Sequence, residues 1–211
     1  HMRIVLTSAV RFSFDYGVMA ASGNQTFKAG DAYEVFPIHE GLVAVLLSDG
    51  MGQDIHAYHE SRKVIRLMRE CLNRKMNPET AMHTLHYMMS LNGLDDMYAT
   101  LDLALIDLQD GRLWSWKAGS MSTYIKRGND FLTLESRSVP VGFLPSPSIE
   151  AKNEQLKAGD IVIMLTDGVF NGDISLKLQE DALYGILEKY HQSSCEEIAE
   201  RVFSELERGF K

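Results

Sequence analysis

At 211 residues, with 45% apolar and 24% charged side chains, the chain is long enough for one substantial core and too apolar to be disordered. Its 29 acidic against 21 basic side chains give a formal charge of -8, which excludes a nucleic-acid surface, because phosphate backbones are bound by concentrated positive charge. No apolar run reaches the roughly 18 residues that a membrane helix needs, and Cys71 and Cys195 stand too far apart to suggest a disulfide framework or a zinc site.

Ile4 to Val10 and Tyr16 to Ala21 are apolar and β-branched, and predict two strands followed by a glycine-bearing loop from Ser22 to Asp31. Tyr33 to Ile38 alternates, and the continuous apolar run Leu42 to Leu47 predicts a strand buried on both faces. From Ile55 the period changes: Ala57, Val64, Met68, Cys71 and Leu72 share one helical face, predicting a helix that ends near Asn73. Asn77 as N-cap and Pro78 at the first helical position open a second helix, with Ala81, Met82, Leu85, Met88 and Met89 as its buried stripe and His83 and His86 on its solvated face.

The strand period returns from Tyr98, and Asp110-Gly111 lies between Leu101–Leu108 and Leu113–Trp116 as a hairpin turn should. Further strands are predicted at Tyr124–Lys126, Phe131–Leu134, Ile149–Gln155 and Ile161–Leu165. A capping box, Ser194-x-x-Glu197, opens a last helix carrying Ile198, Ala199, Val202, Phe203 and Leu206. Strands, two helices, strands and two helices predict a layered α+β fold, one domain over residues 3–211, with His1-Met2 as a cloning remnant.

Asp-Gly occurs three times, and its simplest meaning is a tight turn, which suits Asp110-Gly111. The other two follow buried-type strands: Leu42–Leu47 runs into Ser48-Asp49-Gly50-Met51-Gly52, and Ile161–Leu165 runs into Thr166-Asp167-Gly168-Val169. A carboxylate at the mouth of an apolar core is costly unless paired, hydrogen-bonded or bound to a cation. With no Cys or His cluster nearby, a hard, oxygen-preferring ion is one reading and a turn the other. Gly30-Asp31-Ala32-Tyr33 adds a third aspartate beside a strand expected to pair with the one leading to Asp49. Asp102, within an alternating strand, reads as structural or as a support behind the site residues, and Asp95-Asp96 as a solvated turn or cap.

Taken together, Gly30-Asp31-Ala32-Tyr33, Ser48-Asp49-Gly50-Met51-Gly52, Ser138-Val139-Pro140-Val141-Gly142 and Thr166-Asp167-Gly168-Val169, in this order, resemble the metal-dependent type 2C (PPM) serine/threonine phosphatases. Tyr98-Ala99-Thr100-Leu101-Asp102-Leu103 and Leu156-Lys157-Ala158-Gly159-Asp160 point within that family to the phosphatase domains of stage II sporulation protein E. The resemblance implies a four-layer αββα sandwich of two antiparallel sheets flanked by helices, with two Mn2+ or Mg2+ ions between the sheets. It implies that Asp49 bridges the ions, that Asp31 and the Gly50 carbonyl complete one, and that Asp167 binds the other. Hydroxide generated on those ions would attack the phosphorus of a phosphoserine or phosphothreonine in line.

The implied substrate and partner is a phosphorylated anti-sigma factor antagonist, with a homodimer as a further expectation, no nucleic acid, and no membrane contact by the domain itself. A cytoplasmic domain is expected, whether or not its parent is membrane-tethered. Alternatives are a stress-response phosphatase of the same family and a catalytically silent regulatory or dimerisation module. The sequence departs from the family in four places: no C-terminal Asp-Asp-x-Thr segment, Gln53-Asp54 after Gly52, Gly119-Ser120-Met121 in place of Gly-x-Pro, and no counterpart of the phosphate-holding arginine of eukaryotic members. Asp160 and Asp173 are the in-chain candidates for a fourth carboxylate.

Overall fold

The computed structural model describes residues 10–20, 30–39, 41–50, 55–91, 98–135, 137–143, 148–170 and 174–209. Strand β1 (Asp31–His39) pairs antiparallel with β2 (Leu42–Asp49), and two helices follow, α1 (Ile55–Asn73) and α2 (Pro78–Leu91). A hairpin of β3 (Leu101–Asp107) and β4 (Arg112–Ala118) turns through Asp110-Gly111, where Gly111 takes φ +79°, a conformation that glycine adopts without strain. β5 (Thr123–Arg127) and β6 (Asp130–Leu134) form a second hairpin, and β7 (Lys152–Gln155), β8 (Ile161–Ile163), α3 (Leu176–Tyr190) and α4 (Cys195–Gly209) complete the described elements.

The strands sort into two antiparallel sheets, β1-β2-β3-β4-β7 and β6-β5-β8. Val64, Met68 and Leu72 of α1 and Met82, Leu85 and Met89 of α2 pack on Leu46, Leu103 and Trp116 of the larger sheet. Leu183 and Leu187 of α3 and Val202 and Leu206 of α4 pack around Tyr124 and Leu165 on the smaller one. Between the sheets lie Ala104, Leu113, Ile125 and Leu134, with Val45 and Val162 against them. This is the expected four-layer αββα sandwich. It explains why β2 and β3 are apolar on both faces: one face meets helices and the other meets the second sheet. Arg127 of β5 spans the sheets, donating to Glu154 Oε1 at 3.1 Å and to the Gln155 carbonyl at 2.8 Å on β7.

The helix caps follow the sequence signals. Asn77 Oδ1 accepts the Thr80 N–H at 3.2 Å, and Ser194 Oγ accepts the Glu197 N–H at 3.2 Å. Five expectations are corrected. Residues 16–20 form no strand, and Gly17 instead presses on the start of α4, where a Cβ would lie 2.1 Å from the Cys195 carbonyl oxygen; residues 4–9 of the other N-terminal strand lie outside the described residues. β7 starts at Lys152 rather than Ile149, and β8 ends at Ile163 rather than Leu165, because the chain leaves the sheet for a 3-10 turn at Asp167–Val169.

His86 is fully buried rather than solvated, since its Nδ1 accepts the Gly142 N–H at 3.0 Å, a long-range bond that no helical wheel contains. Met88 is exposed rather than part of the core. Asp95-Asp96 lies outside the described residues.

Candidate metal centre

The candidate site lies at one end of the layer between the sheets, and strand alternation decides which side chains reach it. Ala44 and Leu46 of β2 belong to the helix-facing core and Val45 to the inter-sheet core, so Asp49 falls in phase with the inter-sheet face. Asp31 is its register partner on β1. Asp167 arrives from the other sheet, as the first residue of the turn that follows β8. The three carboxylates therefore come from both sheets and meet: Asp49 is hydrogen-bonded to Asp31 and to Asp167. The Thr166 hydroxyl donates to Asp31 Oδ2 at 3.2 Å, a second link between the sheets.

Burial first, then the negative charge of Asp31, pushes the Asp49 carboxyl up to about 8. Burial likewise raises Asp31, against the hydrogen bonds from Asp49 and Thr166.

Gly50 continues from Asp49 under the first turn of α1, where a Cβ would lie 2.0 Å from the Ala57 carbonyl oxygen, so any side chain there would displace the helix. Gly30 leaves a complementary space. Its missing Cβ would lie 3.3 Å from the Gly50 carbonyl oxygen and 3.5 Å from Asp49 Oδ1, so a main-chain and a carboxylate oxygen border one small void that only glycine keeps open. A pocket of about 70 Å³ adjoins the aspartates, lined by Leu47, Asp49, Thr100, Gly119, Met121 and Thr166 among others.

The donors around this point are carboxylate, hydroxyl and carbonyl oxygens, the set that suits Mg2+ or Mn2+ rather than zinc. Among the described residues no three His, Cys, Asp or Glu side chains are grouped so as to hold a metal ion by themselves, so further oxygens such as the Gly50 carbonyl would have to complete a site. The oxygen donors and the clustered carboxylates fit a divalent metal.

Of the sequence-derived site residues, the structure brings Asp31, Asp49 and Asp167 together and sets Gly50 beside them. Asp160 is engaged elsewhere: Arg127 Nη2 donates to its Oδ2 at 2.6 Å, and the Lys157 N–H donates to the same oxygen at 2.9 Å. Asp173 lies outside the described residues. Asp102 is structural as expected, paired in the inter-sheet layer with Lys117, its register partner on β4.

Sequence reasoning gave no role to Thr100. Its Oγ1 accepts the Asp49 N–H at 2.8 Å, its own N–H donates to the Asp49 carbonyl at 2.8 Å, and Ser48 Oγ donates to its carbonyl at 2.7 Å. These bonds fix the backbone that carries the central carboxylate. A further bridge chain, Gly50 to Ala99 to Val141, ties the Ser138–Gly142 segment to the same strand end.

This fold, with acidic residues at the mouth of the inter-sheet layer, is that of the PP2C serine/threonine phosphatases. The chain aligns with the structure of the PP2C phosphatase domain and a fragment of the regulatory domain of SpoIIE from Bacillus subtilis, at TM-score 0.77 and 32% identity, covering 90% of this chain and 56% of that one. It aligns more distantly with a Streptococcus agalactiae serine/threonine phosphatase, at TM-score 0.74 and 14% identity over 91% of this chain and 92% of the other, a likeness of fold alone. The family described as stage II sporulation protein E (SpoIIE) matches residues 39–211, and the chain belongs to that family. It is 32% identical to stage II sporulation protein E of Priestia megaterium over 92% of this chain, and 33% identical to that of Bacillus subtilis over 82%. The chain spans about a third and about a fifth of the length of these two relatives.

Proposed function

We propose that this chain is a metal-dependent phosphatase that hydrolyses phosphoserine or phosphothreonine on a bacterial regulatory protein of the anti-sigma factor antagonist kind. The observation that carries the reading is the convergence of Asp31, Asp49 and Asp167 from both sheets beside the Gly50 carbonyl, with no Cys or His lining the adjoining pocket to serve as a covalent nucleophile. In this reading Asp31, Asp49, Asp167 and the Gly50 carbonyl would hold Mn2+ or Mg2+, with Asp49 as the central carboxylate of the three. When bound, the ions supply Lewis-acid chemistry, acidifying water and neutralising phosphoryl charge.

The protein's own contribution is positional. Thr100 holds the Asp49 backbone, and Thr166 orients Asp31. Gly119–Met121 lines the same pocket as Asp49 and Asp167, and there the residue bearing the phosphate would rest. The substrate class is supported by family membership. The fold neighbours include RsbX in complex with magnesium and the RsbU and RsbW domains of a Mycobacterium tuberculosis protein, likenesses of fold alone. Among the described residues no helix is long and apolar enough to cross a membrane.

The test is phosphate release from a phosphoserine-bearing protein with Mn2+, with Mg2+, with Zn2+ and with chelator. Turnover with Mn2+ or Mg2+ that stops in chelator is expected, with little from zinc. An unchanged rate in chelator would contradict the metal reading, and no turnover under any condition would favour a silent regulatory module.

A further inference from the structure

Lys117 is buried, and its ammonium joins three elements. It pairs with Asp102 Oδ2 on β3, donates to the Met121 carbonyl at 2.8 Å in the crossover between the sheets, and donates to Thr123 Oγ1 at 2.8 Å at the start of β5. An ammonium has three hydrogens, and all three are committed, so Lys117 has none left for a phosphate. Stability alone is a poor reason for the pair, because a buried ion pair rarely outperforms well-packed apolar residues. Asp102 Oδ1 is also buried without a hydrogen-bond partner among the described residues, so the carboxylate is incompletely compensated.

What the pair does fix is the crossover. Residues Gly119, Ser120 and Met121 line the same pocket as Asp49 and Asp167. The same segment is braced at Gly119, whose N–H donates to the Ser138 carbonyl at 3.1 Å and whose φ of +67° leaves no room for a side chain against Pro140. Ser120 Oγ donates to the Leu101 carbonyl at 3.4 Å. Lys117 adds a main-chain anchor at Met121 that reaches both sheets.

We propose that the Asp102–Lys117–Thr123 cluster is a positioning device that sets the Gly119–Met121 wall and thereby the tightness with which a phosphorylated polypeptide is held. This rests on the phosphatase reading above. The cluster touches neither phosphate nor metal, so a small phosphoester that engages only the carboxylate side of the pocket is indifferent to it. A polypeptide that must also lie along the wall is not.

The experiment compares the full chain with Asp102→Asn/Lys117→Met, Thr123→Val and Thr123→Ser, in Mn2+, on a phosphoserine peptide and on p-nitrophenyl phosphate, with amide hydrogen exchange at residues 120–123. The double variant should raise KM for the peptide about tenfold, since a small misplacement of a positioning element costs one to two orders of magnitude. Its kinetics on the small ester should stay within about twofold of wild type, a change too small to reflect a displaced reacting group. Exchange at residues 120–123 should accelerate while β2 amides keep their protection.

Thr123→Val should move in the same direction by about threefold, a fraction of that positioning effect, and Thr123→Ser, which keeps the acceptor, should match wild type. If the double variant does not fold, the two Thr123 variants decide. Unchanged peptide KM and exchange in folded variants would overturn the inference, as would equal losses on both substrates. A wild-type chain inert toward both would overturn the phosphatase reading and this inference with it.

Discussion

Two groups of buried acids sit in the same inter-sheet layer and obey opposite rules. Asp102 has its counter-ion built into the fold: Lys117 lies opposite it in register, and burial raises the acid and lowers the amine against their mutual attraction. Among the described residues Asp31, Asp49 and Asp167 have one another and the Thr166 hydroxyl but no paired cation, and burial with like charge drives Asp49 up to about 8. A fold that supplies a cation in one place and omits it a few residues away separates a structural carboxylate from a set that requires an external cation.

The contrast can be broken first at its paired end. Lys117→Met alone should cost about 3 to 5 kcal/mol of stability, because it strands Asp102 as an uncompensated buried charge. The double variant with Asp102→Asn should recover most of that loss. Chemical denaturation of the three proteins checks this, and equal midpoints would mean that the pair is not electrostatically coupled.

At the unpaired end, Asp49→Asn should lower manganese-dependent turnover by about a hundredfold or more, a loss of roughly 2.7 kcal/mol in transition-state stabilisation. The same change should stabilise the metal-free protein by about 1 kcal/mol, since it removes one charge from a like-charged cluster. The pH dependence has a fixed sign. A carboxyl whose folded pKa is raised contributes stability that is fully present below about 4 and is lost as pH rises toward 8. The advantage of Asp49→Asn in chelator should therefore be larger at pH 8.5 than at pH 5, and thermal melts at the two values decide it.

The smallest effect belongs to Asp110→Asn. Its Oδ1 accepts the Arg112 N–H at 2.9 Å in an exposed turn, a role that asparagine retains, so stability should change by less than about 0.5 kcal/mol and turnover not at all. A loss of activity matching that of Asp49→Asn would end the distinction between the Asp-Gly motifs.

The legibility of this chain in its sequence followed the range of the interactions. α1 was readable over Ile55–Asn73 because amphipathic spacing is local, and α2 because Asn77 and Pro78 mark its start. The hairpin at Asp110-Gly111 was readable for the same reason, and its register also determines that Asp102 faces Lys117. Asp31, Asp49 and Asp167 stood out as acids at the ends of apolar strands, although only the fold brings the third across from the other sheet.

The clearest failures were long-range. His86 is buried by the Gly142 N–H, contributed from 56 positions away, and periodicity within α2 carries no trace of it. Tyr16 to Ala21 had the composition of a strand, yet its described part packs at the start of α4 with no sheet partner. Thr100 looked like one more β-branched strand residue, and its grip on the Asp49 backbone emerges only when β2 and β3 are paired.

The most direct test of the central claim, that the uncompensated carboxylates form a metal-dependent phosphatase centre, is a paired measurement on wild type and Asp49→Asn: calorimetric Mn2+ titration and phosphate release from a phosphoserine protein on the same samples. The account predicts that wild type binds manganese and hydrolyses the substrate, while the folded variant loses most of both. Manganese affinity and turnover in Asp49→Asn equal to those of wild type would contradict it.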